Sequence, residues 1–95
     1  MNRARNPGAV RALAVTYAEQ AMEKAREGRL DDALALARRA VRLRPGEPAV
    51  LYTLGAVHEA RGERVQAEEA FRTLIRLDPT SPYAREAARS LRREQ

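Results

Sequence analysis

Cysteine is missing from this chain, and with it disulfides, thiol nucleophiles, iron–sulfur ligation and cysteine zinc sites. Cysteine usage therefore says nothing about redox compartment. Tryptophan is missing too, and the aromatics are Phe71 and three tyrosines, 4% of the residues. The hydrophobic share is 44%, much of it alanine, which suits closely packed helices better than strands built from Val, Ile and Tyr. No apolar run approaches the roughly 20 residues of a membrane span. The opening MNRARNPGAVRALAV is charged and broken by Pro7 and Gly8 before an apolar stretch develops, unlike a secretory signal. The expectation is a soluble, cytoplasmic, all-α protein of one domain, since 95 residues leave room for only one modest core.

Histidine is nearly absent as well. His58 stands alone, so there is no second His or Cys to make a metal pair, and nothing resembles a nucleophile, base and orienting acid. No enzymatic activity, metal site or cofactor is expected. Asp31-Asp32 could pair as catalytic carboxylates, but they open a helix, where two acids complement its dipole. Glu59 and Glu63 near His58 read as solvated.

What the chain has in quantity is arginine. Of its 18 basic residues 17 are Arg, the exception being Lys24, and the formal net charge is +5. The arginines are scattered among acids, which weakens a nucleic-acid reading.

Five helices can be traced. Asn6-Pro7 reads as a capped start, and Val10, Leu13, Ala14, Tyr17 and Ala21 recur at three- and four-residue steps until about Glu27, where Gly28 ends the stripe. From Leu30 a second stripe runs through Ala33, Ala37, Ala40 and Val41, closed by Pro45-Gly46. The third helix, from Pro48 to about Arg61, carries Leu51, Leu54, Gly55 and His58 on one side. The fourth, about Arg64 to Leu77, buries Ala67, Ala70, Phe71 and Leu74 and has Glu68 and Arg72 as an exposed pair. Ser81 and Pro82 begin a fifth, with Tyr83, Ala84, Ala87, Ala88 and Leu91 as its stripe.

The linkers RLRPGEP (Arg42 to Pro48) and RLDPTSP (Arg76 to Pro82) lie 34 residues apart. At the same offset Gly28 falls on Gly62, Ala33 on Ala67, Leu43 on Leu77 and Pro45 on Pro79. A helix–turn–helix period of 34 residues, with Leu51-x2-Leu54-Gly55-x2-His58, Ala67-x3-Phe71 and Pro79 in the second copy, resembles the tetratricopeptide repeat family. The second copy departs by Leu51 for the usual Trp and His58 for the usual Tyr. The first copy is looser, with Tyr17, Gln20, Ala21 and Lys24, then Ala33, Ala37 and Pro45. Small residues at Ala21 and Gly55, opposed by Ala33 and Ala67, suit a close approach of two helices.

The resemblance implies an α-α superhelix, or solenoid, of two hairpins and a C-terminal capping helix. The expected organisation is a flexible start over 1–6 and one domain over 7–91. Within it the first repeat takes about 14–47, the second about 48–81 and the cap about 82–91, followed by a frayed 92–95. It also implies a non-enzymatic protein-binding module or adaptor, taking a peptide or helix in a concave groove lined by Val15, Ala18, Met22, Ala49, Tyr52, Ala56, Glu59, Tyr83 and Glu86. A family subset that clamps a terminal carboxylate uses Lys, Asn and Arg, whereas the matching places here hold Ala18, Met22, Thr53, Tyr83 and Ala87, which argues against that ligand. His58, in the place of a packed aromatic residue, reads as structural. Two alternatives stay beside this reading. One is a self-associating assembly protein, such as a homodimer burying apolar ends. The other is an Arg-rich nucleic-acid binder using Arg38, Arg39 and Arg42, which lack an acid three or four residues before them and lack interleaved aromatics.

Overall fold

The computed structural model describes residues 6–93. Within them the chain forms α1 (Pro7–Arg26), α2 (Leu30–Leu43), α3 (Pro48–Ala60), α4 (Arg64–Leu77) and α5 (Pro82–Arg93), with no strand among the described residues. The helix starts have the expected chemistry. Asn6 Oδ1 accepts the N–H of Gly8 at 2.9 Å and of Ala9 at 3.3 Å, and Ser81 Oγ accepts that of Tyr83 at 3.0 Å.

The ends of α1 and α3 are the same turn written twice. Gly28 and Gly62 both take φ 79°, which costs a glycine little and any other residue much more. That conformation lets the next residue's N–H turn back, Arg29 to the Lys24 carbonyl and Glu63 to the His58 carbonyl, each at 2.9 Å. The carbonyls of the last turn are thereby satisfied and the chain is aimed into the partner helix.

α1 packs on α2 and α3 on α4. α3 also lies against α1 and α2, and α5 covers α4 and α3. One cluster joins Ala14, Ala18 and Ala40 to Val50, and a second joins Ala21, Ala33, Leu34 and Ala37 to Val57. A third joins Leu51 to Ala67, Phe71, Leu74, Ala84 and Ala87. The large, fully buried side chains are Phe71, Leu74, Val50 and Val57, and removing each from water contributes about 1.5–3 kcal/mol. The single stripe expected for α3 omitted Val50 and Val57. A short helix that is apolar almost all round has neighbours on several sides, and here both valines face the first hairpin.

Leu13 and Tyr83, both placed on apolar stripes, are left open, and so is Leu77. Leu13 is 45% exposed, Tyr83 43% and Leu77 54%. Leu13 has only the first hairpin beside it, Leu77 is the last residue of α4, and Tyr83 turns from the α5 stripe toward α3. In its place Ser90 is buried, its hydroxyl satisfied by the Arg93 guanidinium at 3.0 Å. Asn6, counted with the N-terminal extension, caps α1 as its sequence suggested, and Arg92 and Arg93, expected to fray, belong to α5. The remainder of those two terminal expectations, 1–5 and 94–95, lies outside the described residues.

Gly55 shows why the α3–α4 contact needs a residue without a side chain. A Cβ there would stand 2.4 Å from one ring carbon of Phe71 and within 2.9 Å of two more. The closeness is to the aromatic ring, one turn along α4 from the Ala67 that the sequence suggested.

Candidate interaction surface

The first helix of each hairpin and the capping helix together form a shallow concavity of about 330 Å³. Val15, Ala18 and Met22 come from α1, Ala49 and Thr53 from α3, and Tyr83 from α5, with Glu19, Glu23 and Arg26 along the α1 side. Helical spacing explains the selection: Val15, Ala18 and Met22 are three and four residues apart, so they share a face. Five of the nine anticipated groove residues, Val15, Ala18, Met22, Ala49 and Tyr83, meet here.

The other four sit beside the concavity. Tyr52 is half-buried, its ring centroid 5.8 Å from those of both Phe71 and Tyr83, so it ties the third core cluster to the groove surface. Burial raises the pKa of its hydroxyl, with Glu86 and then Glu59 adding to the rise and Arg93 opposing it. Glu59 and Glu86 therefore belong to the surroundings of Tyr52, and Glu86 is paired with Arg89 at 2.7 Å. Ala56 is half-buried on α3 and outside the concavity. Glu19, Glu23 and Arg26 were absent from the expected lining, and Thr53 was expected only as a place matching the carboxylate clamp. Glu19, Glu23 and Arg26 continue the face of Met22 at helical steps, and that periodicity was available in the sequence.

Glu63 is paired as well as partly solvated. Its Oε1 lies 2.8 Å from Nδ1 of the buried His58 and accepts from Arg61 Nε at 2.9 Å, while the side chain stays 32% exposed. Arg61 also reaches Asp31 at the start of α2, which joins the two hairpins. Arg61 first, then His58, hold the Glu63 carboxyl down at about 2. The Gly62 turn is the cause, because it brings the residue after the glycine back beside the fourth residue before it. An acid after Gly62 and a histidine at 58 are thus neighbours, and this signal was present in the sequence. A second tie fixes α1: Glu47, only 9% exposed, accepts from Arg11 Nε at 3.0 Å and lies 3.7 Å from Arg44. Among the described residues no group of three or more His, Asp or Glu is placed to hold a metal ion.

Arg38, Arg39 and Arg42 are exposed on α2. The sequence placed no aromatic among them, but the fold does: the Arg39 guanidinium lies over the Tyr17 ring of α1, 5.7 Å from its centroid. By contrast the expected Glu68–Arg72 pair forms, at 3.5 Å.

A line of helical hairpins joined by proline-bounded linkers, with a terminal helix over the last, defines a helical-repeat protein. The tetratricopeptide repeat family model matches residues 24–91, and the chain belongs to that family. Such repeats generally mediate protein–protein interaction. No curated protein and no solved structure gives a significant match. No helix among the described residues is long and apolar enough to cross a membrane.

Proposed function

We propose that this chain is a non-catalytic interaction module, an adaptor that receives a helical or extended peptide on the face built by α1, α3 and α5. The observation that carries the reading is the concavity between those three helices, where Val15, Met22, Ala49 and Tyr83 offer apolar contact beside the charged edge of Glu19, Glu23 and Arg26. Met and Tyr suit such a surface, since a thioether adapts to its neighbour and a tyrosine brings area with few rotors. A peptide lying there would touch three helices that share one packed body, so little ordering of the receptor would be needed.

The test is selection of binders from a random peptide display library against the wild-type protein. Each enriched peptide is then measured on a Met22→Glu/Tyr83→Glu variant. Tyr52 is avoided because its ring packs on Phe71. Peptides that bind wild type and lose most of their affinity for the variant support the groove. Peptides that bind both equally place recognition elsewhere.

A further inference from the structure

We propose that the arginine-bearing side of the first hairpin, where Arg39 and Arg42 adjoin Leu13, Tyr17 and Leu43, is a second docking site, one that takes an acidic segment of a partner protein anchored by an apolar side chain. These five residues line a hollow of about 220 Å³ contributed by α1 and α2 alone, with no lining residue from α3. Leu13 is 45% exposed there.

The repeated fold accounts for Arg42, whose counterpart Arg76 also closes its helix, but it does not call for Arg38 and Arg39 as unpaired cations. Arg38 corresponds to Arg72 in the second hairpin, and Arg72 is neutralised by Glu68 at 3.5 Å. The residue matching Glu68 is Leu34, and the residue matching Glu69 is Ala35. Arg39 corresponds to Thr73. Both helices have the same dipole, so dipole complementation would ask the same of each. Arg42 corresponds to Arg76, which likewise forms no ion pair among the described residues, so the contrast between the hairpins rests on Arg38 and Arg39, neither of which has an acidic partner there.

The geometry suits a carboxylate. Tyr17 lies beneath the Arg39 guanidinium at a distance within the range of a cation–π contact, about 6 Å. A guanidinium stacked on a ring keeps the N–H groups of its edge available, and these match the two oxygens of a carboxylate. Beside it Leu13 and Leu43 offer apolar walls for an aliphatic or aromatic side chain, which a nucleic-acid backbone would leave unused. A second copy of this chain is a poor occupant. α5, at the far end, carries Arg85, Arg89, Arg92 and Arg93 against one acid, Glu86, so stacking copies end to end would set arginines against arginines. Stacking two first hairpins would do the same.

The experiment titrates the protein, by fluorescence polarisation, into four labelled probes: an amphipathic peptide with Leu and Phe on one face and Glu on the other, its Gln-for-Glu and Lys-for-Glu counterparts, and a single-stranded oligonucleotide. The expected result is saturable, salt-weakened binding of the Glu peptide above the other three. It should fall by about tenfold or more in Arg39→Glu/Arg42→Glu and hold in Met22→Glu/Tyr83→Glu. Both arginines are exposed, and the milder Arg39→Gln/Arg42→Gln, with thermal melts of each variant, guards against misfolding. Absence of saturable binding by the Glu peptide would overturn the proposal, as would equal binding of the Gln peptide or indifference to both arginine variants. Tighter binding of the oligonucleotide, or light scattering that shows a dimer lost on Arg39→Glu/Arg42→Glu, would assign the site to another occupant and equally overturn it. None of these failures touches the groove between α1, α3 and α5.

Discussion

Replacing Gly55 by alanine tests the packing of the second hairpin directly, because two effects of opposite sign meet at one atom. In a helix interior Gly→Ala gains about 0.8–1 kcal/mol from propensity alone. Against this, the new methyl would lie 2.4, 2.6 and 2.9 Å from three ring carbons of Phe71, where carbon atoms prefer about 3.5–4.0 Å. The ring must retreat by about 1 Å to relieve such contacts. It has little freedom to do so: Phe71 is 1% exposed, in one cluster with Leu51 and Leu74, with the Tyr52 ring against it. Overpacking of this kind costs about 1–3 kcal/mol, and the upper part of that range applies because the clash is with a ring in a full core. The net expectation is a loss of about 1–2 kcal/mol, or a fall in Tm of roughly 5–15 °C for a chain of this size. Denaturant titration followed by far-ultraviolet circular dichroism, on wild type, Gly55→Ala, Phe71→Leu and the double variant, reads it out. In the Phe71→Leu background the added methyl should be neutral or stabilising, since the smaller side chain vacates the space. A stabilising Gly55→Ala in wild type would refute the reasoning, and so would an equal cost in both backgrounds.

The Glu63 carboxyl is lowered from 4.5 to about 2 in the fold, so its bonds contribute stability that is fully present above about pH 4.5 and lost as pH falls toward 2. Wild type should lose stability across that window more steeply than Glu63→Gln, and parallel acid titrations of the two would contradict the tie to Arg61 and His58. Removal of residues 82–95 uncovers Leu51, Phe71 and Leu74 where they meet Ala84, Ala87 and Leu91. The loss should be large against the roughly 5–15 kcal/mol of a whole domain, and a truncated chain that still melts cooperatively would show that α5 is dispensable. Gly28→Ala and Gly62→Ala should each cost about 1 kcal/mol or somewhat more from the φ of 79°, although no atom stands within 4 Å to clash. A neutral result at both in thermal melts would mean that the turns relax.

Helix positions were legible because their punctuation is local. Asn6-Pro7, Gly28, Pro48, Gly62 and Ser81-Pro82 act within one turn of chain, and the observed boundaries follow them. The 34-residue offset was equally plain, since Gly, Ala and Pro repeat together. Burial was harder to read. Val50 and Val57 are covered by the preceding hairpin, and Leu13 and Leu77 are left open where no further element packs, which depends on neighbours distant in sequence. Polar partners were the least legible. Arg61 with Asp31, Arg11 with Glu47, and Arg39 with Tyr17 join residues 22 to 36 positions apart. The local pairs were the exceptions: Glu68 with Arg72 followed from helical spacing, and His58 with Glu63 could have been anticipated through the turn at Gly62. The groove residues were carried over from the family resemblance, and only the packing of α3 against α5 shows Tyr52 turned between Phe71 and Tyr83 and outside the lining.

The central position of α3 also limits how this surface can diversify. Val50, Leu51, Thr53, Gly55, Val57 and His58 are all buried, so most substitutions there would be filtered by folding before any ligand was met. Solvent reaches only a narrow strip of the helix, including Ala49, Tyr52, Ala56 and Glu59. Relatives with a new binding preference would have to acquire it chiefly on α1 and α5, the two outer walls, while the middle helix stayed nearly constant. Divergence along the chain should therefore be uneven, concentrated at the ends and scarce in the centre.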